Sequence, residues 1–184
     1  PQDIRSYVDS LKNAIPYWYL TYYPNDGASL NNDEKICLDR LNRIGIGYFR
    51  PLVTVICIKA GPFPLEKRLQ ALEAIERFIF ILFRIGRYRS NYKSSFYYRM
   101  AKELYHSEKG IDELTGALNL DIDNNIDFCI KNFIADIQQK FKEGNGFYDW
   151  NSKYYFFYEY EYYLQKCTGV TKITNWESFV KPED

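Results

Sequence analysis

Few residues of this 184-residue chain are spaced for chemistry. Asp121, Asp123 and Asn125 match the opening of a calcium loop, in which alternating oxygen donors wrap a cation. Such a loop also needs a turn-forming glycine and a bidentate glutamate. Ile126 and Asn132 stand in those two places, so the triplet reads as a polar cap before a helix. Asp26 and Asp33-Glu34-Lys35 carry the residue types of metal-dependent nucleases. Those carboxylates sit on strands, which fix two of them on one metal, whereas this stretch reads as loop and helix cap. His106 has no serine or cysteine nucleophile placed beside it by any motif. At an expected helix end, its protonated ring would face the negative pole of the dipole. Glu159 and Glu161 lie two apart on an expected helix, so they point in different directions and cannot share one substrate. Gly45-Ile46-Gly47 lacks the third glycine and the preceding strand of a dinucleotide loop, and reads as a helix terminator. Cys37, Cys57, Cys129 and Cys167 show no C-x-x-C spacing, which speaks against zinc. The first three lie among apolar residues and are expected to be small buried hydrophobes. No catalytic residue, metal site or cofactor is therefore expected in this segment.

One patch survives this filter. No acidic residue occurs between Glu76 and Glu103, a window that holds Arg77, Arg84, Arg87, Arg89, Lys93, Arg99 and Lys102 among Tyr88, Tyr92, Tyr97 and Tyr98. Basic side chains neutralise phosphates and aromatic faces stack on bases. Arg84, Arg87, Arg89, Asn91, Lys93 and Arg99 are accordingly the candidate nucleic-acid contacts. The competing reading is a solvated face with its tyrosines packed inward, or arginines paired with acids elsewhere in the chain.

These residues must be carried by helices. Apolar positions recur at three and four from Ile4 to Trp18, with Pro16 expected to kink or split that first helix. Asn32 or Asp33 can cap a second helix with Ile36, Cys37, Leu41 and Ile44 on its buried stripe. Pro51 opens a third helix, with a buried strand over Leu52 to Ile58 as the rival reading. The clearest helix begins at Leu65 and ends at Gly86. Ser90 can cap the next, turning Phe96, Met100 and Leu104 inward. A short helix is expected over Ile111 to Leu118, longer ones over about Asn124 to Lys142 and Asn151 to Cys167, and one or two turns after Asn175. The fold class is all-α: an irregular bundle of about seven or eight helices, in a single domain over 1–184. Its 18 Tyr and 13 Phe suggest a tyrosine-rimmed core.

Charge adds little, because 24 basic and 24 acidic residues cancel. The longest apolar runs are too short for a membrane span, and no signal peptide is recognisable, so a cytoplasmic protein without membrane contact is expected. The chain opens at Pro1 without a Met, which suggests a segment of something longer.

Three stretches carry a family resemblance. Phe80-Ile81-Leu82-Phe83-Arg84-Ile85-Gly86-Arg87-Tyr88-Arg89-Ser90-Asn91 resembles a helix-end pattern of the bacterial family that includes GmrS/GmrD-type restriction nucleases. Leu41 to Ile46, followed by Tyr48-Phe49-Arg50-Pro51-Leu52, is similar to that family's step into a Pro-started helix. Asn151 to Leu164 is similar to the aromatic helix standing just before the family's C-terminal HNH-like module. The resemblance spans about Ile4 to Trp176. It implies a parent with an N-terminal ParB-like domain, this helical middle and a C-terminal HNH nuclease, acting on foreign DNA in phage defence. Neither the nucleotide-binding motif nor the HNH histidines occur here, so no catalytic residue carries over. The implied role is to brace the flanking catalytic domains, with possible contact to the DNA backbone. A helical scaffold that docks proteins through its tyrosine-rich last helix, without DNA, is the alternative.

Overall fold

A computed structural model describes residues 2–169 and 175–181. Among these residues there is no strand, and nine α-helices follow one another with short 3-10 turns between them. The fold is all-α, as the apolar periodicity requires. The ninth helix is a five-residue coda, Trp176–Val180. The chain divides into two compact units, residues 1–130 and 131–184. No helix among the described residues is long and apolar enough to cross a membrane.

The first unit is built on α4 (Leu65–Phe78), which packs against α2 (Asn32–Ile44) and α6 (Ile111–Asp123). Helix α3 (Arg50–Ile58) packs against α5 (Ser94–Tyr105) and α1 (Gln2–Leu20). The rival strand over Leu52 to Ile58 is therefore absent: Pro51 sits in the first turn of α3, where its missing N–H costs nothing. Leu52, Val53 and Ile56 reach the core. There the Phe49 ring meets Phe78 edge-on at 5.2 Å and Tyr97 at 5.0 Å. All three rings are sealed from solvent, and each full burial of this kind contributes about 1.5–3 kcal/mol.

Several local expectations shift by a few residues. Pro16 does not split α1, which runs unbroken to Leu20. Residue 16 is exposed, and the helix continues through it although a proline has no N–H to return to the carbonyl of residue 12. Asn31, one residue before the expected cap, starts α2: its side chain accepts from Asp33 N at 2.8 Å, and Glu34 reciprocates by accepting from Asn31 N at 3.0 Å. The buried stripe of α2 is Cys37, Leu38, Leu41 and Ile44, with Ile36 turned to solvent. Ser90 caps nothing, because α5 starts only at Ser94. Gly45 does terminate α2, at φ 87°, which a side chain would make costly.

Two part-buried ion pairs tie α2 to α4. Arg68 donates to Glu34 at 2.7 Å and also to the Ala60 and Phe63 carbonyls at 2.7 and 2.6 Å, so it staples the connector ahead of α4. Arg40 donates to Glu76 at 2.8 Å. Helix α4 then passes into a π-helical segment, Ile79–Ile85, closed by a bond from Gly86 N to the Ile81 carbonyl at 2.8 Å. Gly86 is fixed by crowding: a Cβ there would lie 2.3 Å from Cys129 Sγ. Cys37, Cys57 and Cys129 are buried free thiols, as expected, and Cys167 is exposed.

The second unit holds most of α7 (Ile126–Lys142), a turn at Gly146–Asp149, α8 (Lys153–Thr168) and α9 (Trp176–Val180). Its core is small and aromatic. Trp150 meets Phe133 at 5.1 Å, and Tyr158 meets Trp176 at 5.0 Å and Phe179 at 5.5 Å. Helix α8 buries only Tyr155 and Tyr158, although it is aromatic nearly all round.

Candidate functional site

Of the residues singled out in the sequence, Arg87, Arg89, Asn91 and Lys93 lie on the loop that follows the π-helical segment, whereas Arg84 lies within that segment and Arg99 on α5. Arg87 and Lys93 bracket this loop with left-handed backbone, at φ 56° and 55°. Such conformations cost a non-glycine residue about 1 kcal/mol or more and persist where surrounding contacts hold them. Here the contacts are identifiable. Tyr88 N donates to the Leu82 carbonyl at 2.8 Å, and Tyr88 OH donates to Asn125 Oδ1 at 2.7 Å. The Tyr88 and Tyr92 rings meet edge-on at 4.7 Å, and Tyr48 OH donates to the Tyr92 carbonyl at 2.6 Å.

At the end of the loop lies the buried carboxylate of Asp121 on α6. It accepts from Tyr97 OH at 2.7 Å and from Lys93 Nζ. The bond to Asp121 pushes the Lys93 pKa up. Burial, together with this carboxylate, raises that of the Tyr97 phenol well above its ordinary value. Asp121 is thus occupied as an ion-pair and hydrogen-bond acceptor. Among the described residues no group of three or more His, Cys, Asp or Glu is placed to hold a metal ion.

The six candidate contacts separate into two classes. Arg84 points inward: its guanidinium donates to the Ile44 carbonyl, at 3.1 Å through Nε and again through Nη2, and so caps the C-terminus of α2. Burial lowers its pKa. Lys93 is engaged by Asp121 while keeping part of its side chain in solvent. Arg87, Arg89, Asn91 and Arg99 are exposed. Arg99 lies 3.8 Å from Glu103 and packs its guanidinium over the Phe96 ring at 5.7 Å. The exposed acids Asp123 and Asp127 flank Asn125, on which Tyr88 is anchored. What the structure presents is a stiff loop carrying Arg87, Arg89 and Asn91 outward.

The other sequence candidates are structural. Glu34 is the buried partner of Arg68, and Asp26 accepts from Tyr19 OH at 2.6 Å. His106 forms the C-terminal cap position of α5, against the Tyr105 ring.

A second feature was not anticipated. Within the second unit a cavity of about 640 Å³ is lined by Phe141, Phe147, Tyr148, Tyr154, Phe157 and Phe179, with Lys153 as the one charged side chain in its wall among the described residues. Gly144 and Gly146, at φ 84° and 56°, turn the chain around its mouth. Such a cavity suits an apolar or aromatic group. Nothing in the local spacing could have announced it, because its rings come from four separate elements: α7, the Gly146–Asp149 turn, α8 and α9.

No protein-family model, curated protein or solved structure matches this chain.

Proposed function

We propose that this chain is a non-catalytic helical brace from a bacterial restriction-type nuclease, with its aromatic second unit serving as a docking face for a neighbouring catalytic domain. The observation that carries the reading is the surface of α8. Tyr154, Phe156, Phe157, Tyr160, Tyr163 and Leu164 are all exposed along one sixteen-residue helix. Apolar surface of that extent marks a contact site rather than a solvated face. The resemblance of residues 80–91 and 151–164 to the GmrS/GmrD-type family supplies the kind of parent and the kind of neighbour.

The test is restriction by the parent protein carrying Phe157→Asp and Tyr160→Asp. Both side chains are solvent-exposed in the isolated chain, so helicity should persist while restriction of infecting phage is lost. Unimpaired restriction would end the docking role.

A narrower second reading gives the loop a DNA-backbone contact through Arg87, Arg89, Asn91 and Arg99. It is favoured by the outward placement of these four residues on a braced loop and the adjoining helix. Binding of labelled duplex should weaken steeply with salt, and R87E/R89E should reduce the logarithmic salt slope by about two. Absence of any binding at low salt would remove the contact and leave the brace alone.

A further inference from the structure

Helix α1 places its apolar residues in an unusual register. Ile4, Val8, Leu11, Ile15 and Trp18 follow one another in alternating steps of four and three. This is the a/d seam of a coiled coil, with Val8 and Ile15 at a and Ile4, Leu11 and Trp18 at d. In a packed bundle such a seam is covered. Here every one of its members is exposed, from 40% at Val8 to 69% at Ile4. No side chain described on α1 is buried.

The flanks of the seam say what covers it. Arg5 and Lys12 occupy successive e positions, and Tyr7 and Ala14 the facing g positions. Asp9, at b, stands behind the basic edge, three or four residues from Lys12 and Arg5, and occupies neither an e nor a g position. The seam is therefore edged by positive charge on one side and by no carboxylate on either. A second copy of α1 fits this poorly. Antiparallel pairing would set Arg5 and Lys12 against each other, and parallel pairing would set them against Tyr7 and Ala14. A lipid surface fits poorly too, because interfacial helices have a broad apolar face and a polar face rich in Lys and Arg. The face of α1 opposite the seam instead carries Ser6, Asp9, Ser10 and Asn13, with Ser10 half-buried.

We propose that α1 is one strand of an intermolecular or interdomain coiled coil, and that its partner is an amphipathic helix whose apolar ridge is edged by Glu or Asp. The partner lays its ridge along Ile4 to Trp18 and sets its carboxylates beside Arg5 and Lys12. Trp18 supplies a large contact area at one end of the seam. This proposal stands on α1 alone and does not depend on the function proposed above.

The probe is a labelled synthetic helix of four heptads with Leu at a and d and Glu at e and g, whose own carboxylates keep it from pairing with itself. Fluorescence anisotropy against the whole chain should show binding about tenfold tighter than that of the same peptide with Lys at e and g. Ile15→Asp, a change at an exposed position, should bind neither peptide while keeping the circular dichroism of the parent chain. R5E/K12E should invert the preference. Failure of the Glu peptide to bind, equal binding of both peptides, or unimpaired binding by I15D overturns the proposal. Sedimentation showing dimers that I15D abolishes would assign the seam to a second copy. Retention of the chain, but not of I15D, on phosphatidylserine vesicles would assign it to lipid. Either result also overturns it.

Discussion

Removing Arg68 should be among the most damaging single changes in the first unit. Its guanidinium makes three hydrogen bonds of 2.6–2.7 Å: one to Glu34 and two to the carbonyls of Ala60 and Phe63. Glu34 is only 3% exposed. At 2.7 Å the gross attraction of such a pair is about 6 kcal/mol for an effective dielectric of about 20, most of it offset by desolvation of the two ions. The pair is thus worth little against a well-packed apolar substitute. Breaking it from one side is different, because Arg68→Met strands a buried carboxylate and two carbonyls. That costs about 3–5 kcal/mol. Glu34→Gln leaves one acceptor oxygen for Asn31 N but turns its NH2 towards Arg68 Nε, so both the charge and that hydrogen bond are lost and about 1.5–3 kcal/mol is expected. The double variant E34L/R68M should cost clearly less than E34L and R68M added together, since neither ion is then left alone. Urea unfolding followed by circular dichroism measures all four. Additive costs, or an R68M penalty below about 1 kcal/mol, would refute the claim that this pair and its staple act as one unit.

Other outcomes follow from single contacts. Gly86→Ala should destabilise by about 1–3 kcal/mol, because its Cβ would meet Cys129 Sγ at 2.3 Å, and Cys129→Ala in the same chain should recover part of the loss in thermal melts. Asp121→Asn should cost about 2–3 kcal/mol and increase proteolysis of the 86–93 loop, as the charge that pairs with Lys93 is lost and one of the two acceptor oxygens serving Lys93 and Tyr97 becomes an NH2; an unchanged cleavage rate would mean the network does not hold the loop. Burial pushes the Cys37 and Cys57 thiols up to about 12, so both stay protonated in the fold while the unfolded thiols ionise near their ordinary value. Their contribution is intact below the unfolded pKa and is lost as pH climbs towards 12. Unfolding midpoints should therefore fall through that alkaline window, and less so in a C37A/C57A variant.

Most of the helices are legible in the sequence because apolar residues set at three and four have one economical solution. Pro51 and Gly45 mark helix ends by local sterics alone, and both are found where those sterics put them. What the sequence could not supply depends on distant partners. Leu38 rather than Ile36 faces the core, a choice set by how α2 rolls on α4. Asp121 looks like a polar cap until the fold brings Lys93 and Tyr97 to it from α5 and its approach. Arg84 belongs by composition to a basic window, yet the Ile44 carbonyl, forty residues earlier, claims it. The aromatic run of α8 was visible as composition. That so little of it would be buried was not, because burial depends on the neighbours a helix lacks.

The π-helical segment Ile79–Ile85 is in effect one surplus residue threaded into an α-helix. Deleting a residue there would ratchet everything downstream by about 100° around the axis. Arg84 would then swing off the Ile44 carbonyl and leave the end of α2 uncapped. The same guanidinium sits where a Cβ on residue 45 would come within 2.7 Å of Nη2. Surplus residue and arginine therefore act as one unit, while Gly45 is held twice over, by the guanidinium beside it and by its own left-handed backbone.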